Sequence, residues 1–181
     1  GWPRGRVIGS GTVLDSSRFR YILSEYFDVH AGNVHGYILG EHGDSEFAAW
    51  SMSNIAGVPL EDYSSQLGIK DWEDKKENIE QQVRDPAYHI IDYKGATSFA
   101  VGKALVQIVR AIIQNQRRVL TVSYHLQGEY GINRICLGSP CLLSQHGVES
   151  IVSTDLTADE KEKLQHSASL LRKEYEDLIS G

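Results

Sequence analysis

The sequence predicts an α/β domain of the α+β kind spanning residues 1–181, an antiparallel sheet packed with long helices. Three observations predict it. A length of 181 residues with 41% hydrophobic and 23% charged side chains suits one domain that buries roughly 70% of its unfolded surface. Several segments repeat apolar residues at helical spacing behind hydroxyl caps. Short β-favouring runs separated by glycine-bearing turns read as a meander. No linker, long run of one charge sign or repeat of 20–50 residues interrupts the chain.

The first helix starts at a Thr12 cap with an acid three positions on, and Phe19, Ile22, Leu23 and Tyr26 carry it to about Phe27. Val34–Leu39 reads as a strand ending in the loop Gly40-Glu41-His42-Gly43-Asp44, and Glu46–Met52 as a further extended segment. Gly57–Leu67 reads as loop. Asp71–Tyr93 forms a long charged helix with Trp72, Ile79, Val83, Ile90 and Ile91 as its apolar positions, kinked at Pro86. After a hydroxyl cap at Thr97-Ser98, Val101, Leu105, Ile108, Val109 and Ile112 mark a helix expected to be buried. Val119–Leu126, Ile135–Leu137 and Ser150–Ser153 form the meander. Thr157-Ala-Asp-Glu160 is a capping box ahead of an amphipathic helix with the stripe Leu164, Ala168, Leu171, Tyr175 and Leu178.

Eighteen basic against 24 acidic residues give a net charge of −6, which argues against a nucleic-acid partner. No apolar run reaches the roughly 20 residues of a membrane span, and Gly1–Ser10 lacks the pattern of a signal peptide. A cytoplasmic chain is expected, with a truncated or processed N-terminus, since it starts without methionine. Cys136 and Cys141 supply half of a structural zinc site and read as two packed thiols.

At 100° per residue, with Asp15 at zero, the apolar residues of the first helix fall between about −20° and +80°. Asp15 therefore lies inside the apolar stripe, where a carboxylate is costly unless a cation or several donors meet it. Arg18, at about −60°, borders the stripe, and Arg20, at about 140°, points away. A local Asp15–Arg18 pair or a capping role would satisfy the acid. So would His42, held clear by flanking glycines: an imidazole oriented by a buried carboxylate is a usable general acid/base. An arginine beside the pair could grip a substrate carboxylate through two parallel hydrogen bonds.

Rival chemistries fit less well. A Ser-His-Asp set from Ser10 or Ser45 with His42 and Asp15 or Asp44 lacks the G-x-S-x-G elbow. A metal site from His30, His35, His42, Glu41 and Asp44 matches no familiar ligand spacing, so no metal is expected. Gly9-Ser10-Gly11 is followed by Leu14 rather than a third glycine, and no G-x-G-x-x-G occurs.

Taken together, Val7-Ile-Gly-Ser-Gly-Thr-Val-Leu-Asp-Ser-Ser-Arg-Phe-Arg-Tyr21, Gly36-Tyr-Ile-Leu-Gly-Glu-His-Gly-Asp-Ser45, Lys94-Gly-Ala-Thr-Ser98, Val119-Leu-Thr-Val-Ser123, Gly128-Glu-Tyr-Gly131 and Gln165-His-Ser-Ala168 resemble the C-terminal, substrate-binding half of the L-lactate dehydrogenases. The resemblance implies the fold of that half, with the N-terminal Rossmann half absent from these 181 residues. It implies hydride exchange between NADH and pyruvate, with His42 as proton donor and acceptor, Asp15 orienting it, Arg18 anchoring the substrate carboxylate and Thr97 walling the pocket. Ser10 and Val101 match positions near the nicotinamide of NAD. Arg20 and His35 match the effector positions of bacterial enzymes activated by fructose 1,6-bisphosphate, which implies a homo-oligomer, a tetramer when complete.

Glu41 and Asp44 beside His42 resemble the lactate rather than the malate branch, although the discriminating residue would lie in the other half. Without that half, the chain is expected to bind the dinucleotide weakly and not to turn over. The alternatives are a non-catalytic oligomerisation or sugar-phosphate-binding module and a malate dehydrogenase-like half.

Overall fold

The structure is a computed structural model describing residues 1–84, 98–153 and 155–180. Pro86, Ile90, Ile91 and Thr97, and with them the expected kink and pocket wall, lie outside the described residues.

Helix α1 (Val13–Tyr26) is the hub. Its Phe19 and Leu23 are buried in one apolar cluster with Ile38, Leu60, Trp72, Ile79 and Val83, and Val13 in a second with Ile108, Leu120, Val122 and Leu143. Thr12 does not cap α1 through its side chain. The Thr12 hydroxyl donates to the Ile38 carbonyl at 2.6 Å, and the Ile38 N–H donates to Ser16 Oγ at 2.9 Å. Ser16 Oγ also meets Thr121 Oγ1 at 2.7 Å. Chain continuity past a buried helix end thus takes precedence over the cap, and the hydroxyls tie α1 to two strands at once.

The expected strand Val34–Leu39 is two short ones, β1 (Val34–His35) and β2 (Ile38–Leu39), parted at Gly36, where a Cβ would come 2.9 Å from the Phe19 ring. Glu46–Met52 is likewise β3 (Phe47–Ala48) followed by a 3₁₀ turn, Trp50–Met52. β2 pairs antiparallel with β3, and β1 with β4 (Asn54–Ile55), which pairs with β5 (Val58–Pro59). The stretch Gly57–Leu67, read as loop, holds β5 and helix α2 (Leu60–Gln66), because Leu60 and Ser64 are buried and Glu61 and Asp62 favour its first turn. Helix α3 (Trp72–Arg84) packs Trp72, Ile79 and Val83 inward.

Helix α4 (Ser98–Ile113) also departs from expectation. It buries Ala104, Ile108 and Ala111, whereas Val101, Leu105 and Val109 are 38%, 47% and 49% exposed. Apolar residues surround this helix, but among the described residues its covered face is the one against α1 and the sheet.

The meander is present and longer than expected: β6 (Arg118–Gln127), β7 (Asn133–Ser144) and β8 (Gly147–Ile151), in the order β6-β7-β8. β8 begins three residues before the expected Ser150, since Gly147, at positive φ, makes the turn. Cys141 is buried on β7 while Cys136 is exposed, so only one of the two thiols is packed. Helix α5 (Ala158–Ser180) opens on the expected capping box, the Thr157 N–H donating to Glu160 Oε2 (2.9 Å) and the Glu160 N–H to Thr157 Oγ1 (3.2 Å). Its stripe is covered at Leu164 and Ala168 but exposed at Tyr175 and Leu178.

Candidate active site

Strand β2 ends at Gly40, which bridges Gly138 of β7 through two backbone hydrogen bonds of 3.1 and 2.8 Å. Gly40 adopts φ +102, and a Cβ there would come 2.8 Å from Ser167 Oγ of α5. Only glycine fits this left-handed position without strain. Ser167 Oγ in turn accepts the Glu41 N–H at 2.6 Å and meets Ser45 Oγ at 3.0 Å, while the Ser45 hydroxyl donates to the Glu41 carboxylate. Both ends of the loop are therefore fastened to α5.

From that loop His42 reaches back over α1. Its Nδ1 lies 2.9 Å from Asp15 Oδ2, although the two residues are 27 positions apart. Asp15 is 2% exposed and His42 58%, so a buried acid sits beneath an imidazole whose other edge faces outward. The local pair considered from the sequence forms as well: Arg18 donates to Asp15 Oδ1 at 3.1 Å. One carboxylate serves both partners, an oxygen to each.

A further acid stands here that the sequence reading passed over. Glu46 Oε2 is 3.5 Å from the same Nδ1, and Glu46 is 6% exposed. Its signal in the sequence was a lone carboxylate heading the apolar run Phe47-Ala48-Ala49. Ser167, the loop's anchor, was also passed over, since only its helical spacing was read. Asp15 Oδ2 and Glu46 Oε2 are buried with no aligned hydrogen-bond donor, so Nδ1 is the group that serves them both. The contact to Asp15, then that to Glu46, raises the imidazole from 6.5 to about 10 against the opposing effect of burial. Burial pushes the Glu46 carboxyl up, the imidazole pulls it back, and Asp15 adds to the rise.

The ligand atoms of Asp15, His42 and Glu46 lie within 4.8 Å of one another, the grouping among the described residues that a metal could use. It is not the set weighed from the sequence, of which only His42 belongs to it. Arg18 beside Asp15 already supplies positive charge there.

Arg18, largely buried, also lines a cleft of about 460 Å³ with Leu14, Ile22, Ala100 and Lys103, between α1, α3 and α4. Ser10 precedes α1, its carbonyl accepting the Val13 N–H, and Val101 is partly exposed on α4. Arg20 donates to the Gly36 carbonyl (3.1 Å) and Ser17 Oγ (3.0 Å). Its guanidinium thus reaches the strand end that carries exposed His35. Burial, and then Arg118, lower its proton affinity. Among the described residues, no helix is long and apolar enough to cross a membrane.

With this geometry in view, residues 12–180 match the lactate/malate dehydrogenase family, alpha/beta C-terminal domain. The chain is 51% identical over 179 residues to an L-lactate dehydrogenase of Treponema denticola, covering 98% of this chain and 57% of that protein. It is 48% identical to one of Priestia megaterium, covering 95% and 54%. Among solved structures, the lactate dehydrogenase MGS-M5 from a Medee basin deep-sea metagenome library superimposes with a TM-score of 0.94 at 43% identity, covering 99% of this chain and 57% of that one. The minor L-lactate dehydrogenase of Enterococcus mundtii, in a ligand-bound form, gives 0.90 at 40% identity, covering 96% and 55%. The chain spans little more than half the length of these relatives.

Proposed function

Since the chain belongs to the lactate/malate dehydrogenase family as its alpha/beta C-terminal domain, we propose that residues 1–181 form one substrate-binding and catalytic domain of an NAD-dependent L-lactate dehydrogenase. The observation that carries the reading is the 2.9 Å contact between buried Asp15 and exposed His42. Asp15 holds Nδ1 inward, which leaves Nε2 to give its proton to the keto oxygen of pyruvate, or to take it back from lactate. Arg18, already oriented by Asp15, binds the substrate carboxylate, and Thr97 is assigned to the substrate by the family resemblance alone.

NAD, when bound, supplies or accepts the hydride at the substrate carbon. The residues present fit its nicotinamide end, for Val101 offers a partly exposed apolar surface and Ser10 stands at the head of α1. For the pyrophosphate the sequence has no G-x-G-x-x-G. The 181 residues on their own therefore bind the dinucleotide weakly and do not turn over.

Oxidation of NADH by the full-length protein with pyruvate, followed by absorbance, tests the reading, with oxaloacetate as the competing malate-branch substrate. His42→Asn lowers turnover by about 10²–10⁴-fold, the usual worth of a placed acid/base. No pyruvate-dependent oxidation by a folded full-length protein refutes it.

A bound effector is a second part of the proposal. Arg20 reaching the strand end beside His35 supports a site for fructose 1,6-bisphosphate between subunits of a homotetramer, whose assembly the bisphosphate would tighten.

A further inference from the structure

Glu46 has no part in the reaction as proposed, yet it is the second carboxylate on the imidazole. A buried carboxylate without donors is costly, and Glu46 Oε2 is buried with no aligned donor, 3.5 Å from His42 Nδ1. Other charged groups stand around it, most of them with partners of their own. From α1, Arg18 is paired with Asp15 Oδ1. On the loop, Glu41 accepts from Ser45, and Asp44 lies on the same turn. From α3, Glu80 and Arg84 line the space beside Glu46 but pair with each other at 2.8 Å. Protonated His42 is the cation in contact with Glu46, and Arg18 acts on it from farther off.

We infer that Glu46 is a positioning residue acting through His42: with Asp15 it fixes Nδ1 inward and keeps the imidazole loaded with the proton it delivers from Nε2. The upward shift of His42, to which the Asp15 and then the Glu46 contacts contribute, agrees with this sharing, and the imidazole in turn draws the Glu46 carboxyl down against the effect of its burial. Its catalytic meaning rests on the lactate dehydrogenase reading; its acid–base chemistry does not. In the reducing direction the site waits already protonated. The proton leaves Nε2 for the keto oxygen as hydride reaches the adjacent carbon, and the imidazole is left neutral between two carboxylates until it is reloaded from solvent. Lactate oxidation must begin from that neutral ring, so Glu46 confines it to more alkaline solution.

The test is the pH dependence of diethyl pyrocarbonate modification at His42 in the full-length protein, read by peptide mass spectrometry, because the reagent attacks only the unprotonated ring. Glu46→Gln is expected to lower the midpoint, so that modification at one fixed pH runs roughly tenfold faster, the effect of a unit charge at 3.5 Å near a wetted surface. The same variant should bring the alkaline limb of pyruvate reduction, and the onset of lactate oxidation, to lower pH. Glu46→Asp, whose oxygens recede by one methylene, should shift the midpoint the same way by less, and it serves if the glutamine variant does not fold. An unmoved midpoint in a folded variant overturns the inference, whether or not pyruvate is reduced. A moved midpoint in a protein that ignores pyruvate leaves the role of Glu46 standing and removes the lactate reading.

Discussion

Replacing Asp15 with asparagine keeps the shape beneath His42 and deletes the charge. A unit charge at 2.9 Å is worth about 1.4 kcal/mol at the dielectric of water and about 6 kcal/mol at an effective value of 20. With the imidazole 58% exposed, the lower part of that range applies, and about 2 kcal/mol corresponds to roughly 1.5 pH units. The midpoint of His42, raised to about 10 in the native chain, should fall by roughly 1.5 pH units in Asp15→Asn. It stays above 6.5 because Glu46 remains.

The same charge links to stability. A group whose folded value exceeds its unfolded value stabilises fully below the latter and loses that contribution as pH rises through the former. The His42 contribution is thus complete below about pH 6.5 and gone above about pH 10. Urea unfolding of wild type and Asp15→Asn should differ most near pH 6 and converge toward a constant offset, from the lost Arg18 contact, above pH 10. The pH profile of pyruvate reduction should show the earlier alkaline limb. A variant whose limb overlays wild type, or a stability gap that ignores pH, would refute the electrostatic argument.

Two further outcomes test the framework. Gly40→Ala forces a side chain into φ +102 and to 2.8 Å from Ser167 Oγ; it should cost about 1–3 kcal/mol in urea unfolding and, by displacing the loop, reduce turnover at least tenfold. Thr157→Ala removes the hydroxyl half of the capping box and should lower stability by about 0.5–2 kcal/mol in thermal denaturation.

Much of this was legible in the chain itself. An acid inside an apolar stripe signals its need for a partner by periodicity alone, and Asp15 was placed that way; the glycines around His42 marked a ring free to answer. The capping box at Thr157 and the three-strand meander followed from local pattern. What escaped depends on contacts that only the folded chain makes. Pairing with β4 and β3 splits Val34–Leu39, and nothing in that run shows the Phe19 ring lying against Gly36. Glu46 read as an unremarkable strand start because its meaning lies in the imidazole four residues earlier. The exposed side of α4 read as core because apolar composition alone does not say which faces are covered.

The hydroxyl ties among Thr12, Ser16, Ile38 and Thr121 join the helix that carries the acid to the strand from which the loop of its ring departs, at a junction whose four members are all buried. Fluctuations that fray a rim or a terminus leave such a junction untouched, and the half-exposed ring moves only with the loop that Gly40 and Ser167 anchor beside it.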